Sequence, residues 1–167
     1  GAILDGLSNM LAGSREPLAT PLLAYARSLG GPADATVVGC GFKTHPVHAA
    51  FVNGVLCHSM DFELMWVPPT HPTGTTLPAI LGLCEQRDLA PQRAVLALAL
   101  AFEVQARLRL CMVSAGPDRP DGLHPPGVVG VFGAAAAGAS LLGLDQLHTR
   151  WALGIAGSRV SGISANT

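Results

Sequence analysis

At 167 residues the chain is long enough for one domain with a real core. Apolar residues make up 49% and charged residues only 13%, and the mean hydropathy is +0.41; this excludes disorder and predicts an exterior partly covered by another domain or subunit. The net charge of −1, the single lysine at Lys43 and the lack of any basic run exclude a nucleic-acid partner.

The first residues already read as mid-helix. Ile3, Leu4, Leu7, Met10 and Leu11 recur at helical spacing until Gly13-Ser14 stops them. Leu18, Leu22, Leu23, Ala26 and Leu29 mark a second helix, with Pro17 near its first turn and Gly30-Gly31-Pro32 ending it. Thr36 to Cys40 is the one strand-like run. Thr44 is the expected N-cap of a third helix, with Pro46 in its first turn and His58 at its fraying end. The prolines at 68, 69 and 72 make Asp61 to Pro72 a loop. Helices are then expected over Thr75 to Cys84, Arg93 to Met112, Gly127 to Leu144 and Gln146 to Ser158, with a proline-rich loop from Ser114 to Pro126. The apolar run from Gly127 to Leu144 is long enough to raise a membrane span. Its Ala and Gly content and its lack of an aromatic belt or basic flank argue instead for close helix packing, with no membrane partner. The fold class is all-α, built from antiparallel helix hairpins. No targeting segment is read, and the chain is expected to be a piece of a longer cytoplasmic protein, cut at both ends.

Two segments hold the chemistry. His71-Pro72-Thr73-Gly74 and His124-Pro125-Pro126-Gly127 share the pattern His-Pro-x-Gly, and each leads into an apolar stretch rich in small residues. A histidine just before a helix start sits where N–H groups point outward and the dipole is positive. Two such sites brought together make a pocket for a substrate with several carboxylates. His58 and Asp61 lie beside the first segment, and Asp61 is placed to orient a histidine or accept a proton. Glu63 is read as solvated or paired with a nearby cation. A metal site from His58, Asp61, His71 and His124 has suitable ligand types for zinc or iron, but without a tight His-x-x-x-His spacing it is set aside. Glu103 and Arg107 stand at i,i+4 for an intrahelical ion pair, and Arg107 or Arg109 is the arginine that could reach a substrate carboxylate. Cys40, Cys57, Cys84 and Cys111 are too widely spaced for a cluster and read as free thiols. Gly127, Gly130 and Gly133 follow no strand, so they make no dinucleotide fingerprint.

The stretches Ala49 to Phe62 (AAFVNGVLCHSMDF), Thr70 to Leu81 (THPTGTTLPAIL), Phe102 to Leu108 (FEVQARL), Leu123 to Leu144 (LHPPGVVGVFGAAAAGASLLGL) and Ala152 to Thr167 (ALGIAGSRVSGISANT) resemble, in order, the MmgE/PrpD family. That family includes 2-methylcitrate dehydratases, cis-aconitate decarboxylases and an iminodisuccinate epimerase, and the HSMDF and HPP stretches look most like the decarboxylases. The resemblance implies an all-α, usually homodimeric domain that works without metal or organic cofactor, beside a smaller α+β domain absent from this chain. It implies catalytic roles for Asp61, His71 and His124; His58, Met65, Thr70 and Arg107 are the expected substrate contacts. Two departures stand out. Glu63-Leu64-Met65 replaces the further acidic residues and the threonine or histidine usual after the aspartate, and the lysine-bearing stretch that normally follows the Ser-x-x-x-Asn region is absent from this chain. The expected function is a lyase on a small di- or tricarboxylate. The alternatives are an epimerase or isomerase using the same proton transfer, or a non-catalytic helical fragment that dimerises or binds a ligand.

Overall fold

The computed structural model describes residues 1–114 and 122–163. Among them, helices α1 (Ala2–Gly13) and α2 (Ala19–Leu29) are followed by strands β1 (Ala35–Val37) and β2 (Phe42–Thr44). Helices α3 (Pro46–His58), α4 (Leu77–Gln86), α5 (Pro91–Ser114), α6 (Pro125–Leu142) and α7 (Gln146–Gly157) complete the chain. The all-α class holds, with one small hairpin added. Most of the expected Ser114 to Pro126 loop, and the close of the chain at 164–167, lie outside the described residues.

The strand-like run breaks early because Gly39 and Gly41 take positive φ (74° and 69°) and fold the chain back, so that Ala35 pairs with Thr44 and Val37 with Phe42. Thr44 therefore ends a strand and does not cap α3. His45 is the cap: its Nδ1 accepts the Val47 N–H at 3.3 Å, with Pro46 at the first helical position. Two side chains pin the hairpin. Asn53 of α3 accepts from the Val38 N–H and donates to the Thr36 carbonyl, both at 2.9 Å. Glu85 of α4 accepts from the Thr36 hydroxyl at 2.7 Å and pairs with Lys43.

Helix α3 lies between two apolar clusters. On one side Val52, Ala49 and Leu56 pack with Ala19, Ala26, Ala35 and Val37. On the other, Cys57 packs with Met10, Leu77, Ile80, Ala97, Leu98, Ala101, Ala137 and Leu141. Glycine makes the close approaches possible. A Cβ at Gly13 would stand 2.1 Å from the Leu56 carbonyl oxygen and 2.6 Å from the Ser59 hydroxyl. A Cβ at Gly130 would stand 2.5 Å from Thr75, and one at Gly133 would stand 2.7 Å from Gln105. Helix α6 has the length and composition of a membrane span; 44% of it is buried, and it packs on α4, α5 and α7.

Candidate active site

Histidines from three elements line one cavity of about 550 Å³: His58 at the end of α3, His71 in the loop that follows, and His124 at the start of α6. The rest of the wall is Ala50, Phe51, Gly54 and Val55 from α3, Ser59 just after it, Glu63, Gly74 and Thr75 from the loop, and Pro126 and Gly127 from α6. Apart from His58, the α3 lining is apolar or glycine, and the other titratable groups of the wall, Glu63, His71 and His124, come from the loop and the start of α6. No lysine or arginine is among these lining residues.

Sequence reasoning placed both His-Pro-x-Gly histidines at helix starts. Only His124 is there, as the N-cap of α6. Helix α4 starts later, at Leu77, because the Pro72 carbonyl is taken by side chains. The Thr76 hydroxyl (2.6 Å), the Thr75 hydroxyl (3.2 Å) and the Gln105 amide (3.2 Å) all donate to it, while the Thr76 and Leu77 N–H groups turn to the Thr73 carbonyl. Hydroxyls bonding local backbone compete with helix initiation in this way. The expected anion grip of two free helix ends is also reduced. Pro125 and Pro126 carry no N–H, the Val128 N–H bonds the His124 carbonyl, and only Gly127 offers an amide at that end of the cavity. At the other end the Gly74 N–H is already donated to Glu63.

Of the two expectations for Glu63, solvation fails and pairing holds: its side chain is 1% exposed and its partner is His58. Oε1 lies 2.7 Å from Nδ1 of His58, while Oε2 accepts from the Gly74 N–H and from the Cys57 thiol at 3.3 Å. A Cβ at Gly74 would collide with this carboxylate, so the glycine of the first motif exists to admit an acid. Burial opposes ionisation of Glu63, but the bonds from His58, Cys57 and Gly74 outweigh it and hold the carboxyl below its ordinary range. The bond to Glu63 pushes His58 up, against the effect of its own burial. Burial pushes His124 down, and the neighbouring His58 and His71 imidazoles push it further. Burial and the Glu63 carboxylate push the Cys57 thiol up, which leaves it unreactive.

Asp61 stands in a left-handed conformation (φ 56°), and its exposed carboxylate lies 3.3 Å from Nε2 of His71. The other ring nitrogen of His71 is buried without a hydrogen-bond partner, 3.9 Å from Glu63 Oε1. The rings of His58 and His71 meet edge-on at 5.0 Å. The loop that carries Asp61, Glu63 and His71 is fixed from outside: Asp5 of α1 accepts the Leu64 N–H at 2.9 Å, Trp66 packs edge-on against Phe102, and Arg109 donates to the Pro69 carbonyl at 3.0 Å.

Three expected substrate contacts are not brought to this cavity. Arg107 is exposed on α5 and bonded to Glu103 at 2.6 Å, so the intrahelical pair is its use here. Met65 is exposed outside the cavity wall. Thr70 is buried within the loop, outside the cavity lining, its hydroxyl without a partner. Among the described residues, the ligand set drawn from the sequence changes as well: Glu63, and neither Asp61 nor His124, groups with His58 and His71.

The model of the MmgE/PrpD N-terminal domain matches residues 1–167. Relatives include the cis-aconitate decarboxylases of Mus musculus and Homo sapiens, each 40% identical over 98% of the chain and covered to 34% and 35% of their own length. The cis-aconitate decarboxylase of Aspergillus terreus is 29% identical over 96% of the chain, with 34% of its length covered. The chain spans about a third of the length of these relatives.

Proposed function

Because the chain belongs to the MmgE/PrpD family, we propose that it forms the proton-transferring half of a lyase that removes CO₂ from a small unsaturated tricarboxylate. The transfers run on its own imidazoles and carboxylates, without metal or organic cofactor. The observation that carries this reading is the opposed tuning of two histidines in one cavity. Glu63 favours the charged form of His58, while burial favours the neutral form of His124. Groups pushed apart in this way mark acid, base and cation roles.

In this scheme the His58 imidazolium holds a substrate carboxylate, aided by the Gly127 N–H. The carbon–carbon bond to the departing carboxylate breaks, its electron pair stays on carbon, and a proton from the Asp61–His71 pair quenches it. Water then restores the pair. His124 stays neutral and orients a second carboxylate by hydrogen bonding. The apolar α3 wall displaces water from the carbanion and strengthens each of these interactions. Further positive charge comes from a C-terminal segment of the whole protein, and two copies pair as a homodimer; the exposed Leu96, Leu100, Trp151 and Ile155 support such coverage.

The test is turnover of cis-aconitate and of 2-methylcitrate by the full-length protein, followed by NMR in deuterated water. Decarboxylation with one deuteron entering the product supports the scheme. Loss of water would make the protein a dehydratase. Deuterium exchange with neither CO₂ nor water released would make it an isomerase and remove the decarboxylation step.

A further inference from the structure

We propose that His58, Glu63 and His71 also bind a divalent transition-metal ion of the zinc type, and that an ion seated there stops proton transfer. The ligand atoms of the three residues lie within 4.8 Å of one another. Bonds of about 2.1 Å to one tetrahedral ion place its ligands about 3.4 Å apart. Two of the three separations bracket that value, 2.7 Å from His58 Nδ1 to Glu63 Oε1 and 3.9 Å from His71 Nδ1 to the same oxygen. Small movements of two side chains are enough to seat the ion.

His71 supplies the independent observation. Its Nε2 lies 3.3 Å from the Asp61 carboxylate, and a proton held on that nitrogen leaves Nδ1 with a lone pair. Nδ1 is buried, has no hydrogen-bond partner and lies 3.9 Å from Glu63 Oε1, itself an acceptor. In that tautomer two acceptors face each other, and a metal cation between them satisfies both. A histidine that ligates a metal through one nitrogen while giving its other N–H to a carboxylate is the usual arrangement at metal sites. The Gly74 N–H and the Cys57 thiol hold the second Glu63 oxygen, leaving Oε1 for the ion. All three residues line the cavity, so a water or a substrate carboxylate takes the fourth position.

The ion displaces the proton shared by His58 and Glu63 and locks His71. The inhibitory half of the proposal therefore rests on the lyase reading, while the binding half does not. The experiment adds Co²⁺ to the full-length protein and follows visible absorption, with Zn²⁺ competition and turnover measured in parallel. One ion per chain at micromolar concentration is expected, displaced by Zn²⁺. Glu63→Gln and His71→Gln should each weaken binding by at least about tenfold, the smallest loss seen when even an outer partner of a ligand is removed. His148→Ala, which removes an exposed histidine paired with Asp145, should not change it. Circular dichroism confirms that each variant is folded, and either one alone suffices. Absence of binding up to millimolar metal, or equal affinity in the folded variants, overturns the site. Binding in a protein without turnover leaves the site standing and sinks the lyase reading. Loss of turnover on chelation sinks the inhibitory half.

Discussion

Replacing Glu63 with Gln keeps the size of the side chain and removes its charge. In the native site the carboxylate is sealed from solvent and faces an imidazole that is 43% exposed on its side chain. A hydrogen bond to a charged group contributes about 1.5–3 kcal/mol. Solvent screening at the half-exposed His58 puts this one at the lower end, about 1.5 kcal/mol. Its pH dependence has two limits. His58 is raised on folding, so its share is complete below the unfolded histidine pKa and is lost as pH climbs through the higher folded value. Glu63 is lowered on folding, so its share is present above the unfolded carboxyl pKa and is lost as pH drops through the lower folded value. The native protein should therefore exceed Glu63→Gln in stability most at mildly acidic pH, and the gap should narrow in alkali. Proton NMR of histidine-labelled protein reads His58 directly, and its titration should fall back toward the ordinary histidine range in the variant. An unmoved His58 titration, or a stability gap that does not change with pH, refutes the assignment of Glu63 as its partner.

His124→Ala should lower kcat by about 10²-fold or more, the usual worth of a positioned acid, base or donor, while the melting temperature changes little; steady-state kinetics and calorimetry check both. Gln105→Leu removes the amide that bonds the Pro72 carbonyl, and the change should cost about 1–3 kcal/mol in urea unfolding. Since the same carbonyl delays α4 behind His71, kcat should drop more than KM rises in that variant. Gly130→Val forces side-chain carbons into Thr75, and overpacking of this kind costs about 1–3 kcal/mol, read as a lower denaturation midpoint.

The helices were legible because their signals are local. Apolar spacing, Pro46 in a first turn, and Gly143 followed by Asp145 each act within one turn of chain, and the observed ends fall close to them. The repeated His-Pro-x-Gly pattern, with His58 beside it, pointed to residues that share a cavity. What escaped was decided by distant partners. Strand β2 depends on two glycines and on clamps from Asn53 and Glu85. The late start of α4 depends on Gln105, which is over thirty residues away. A glutamate in a polar loop gives no sign that it will be buried. The one available clue was Gly74, whose missing side chain leaves room for an acid, and it becomes readable only once the fold places Glu63 against it.

The Gly13 contact carries a consequence for how this protein tolerates inherited change. Helix α1 rests on the last turn of α3, backbone on backbone, two residues before His58. Any side chain at position 13 acts as a wedge driven under that turn, and the apolar clusters on both flanks of α3 leave it little room to yield sideways. The displacement passes along the helix axis to the imidazole at its tip. A lineage could lose its chemistry through a position forty-five residues upstream of the histidine, while the molecule stays folded and the cavity keeps every one of its side chains.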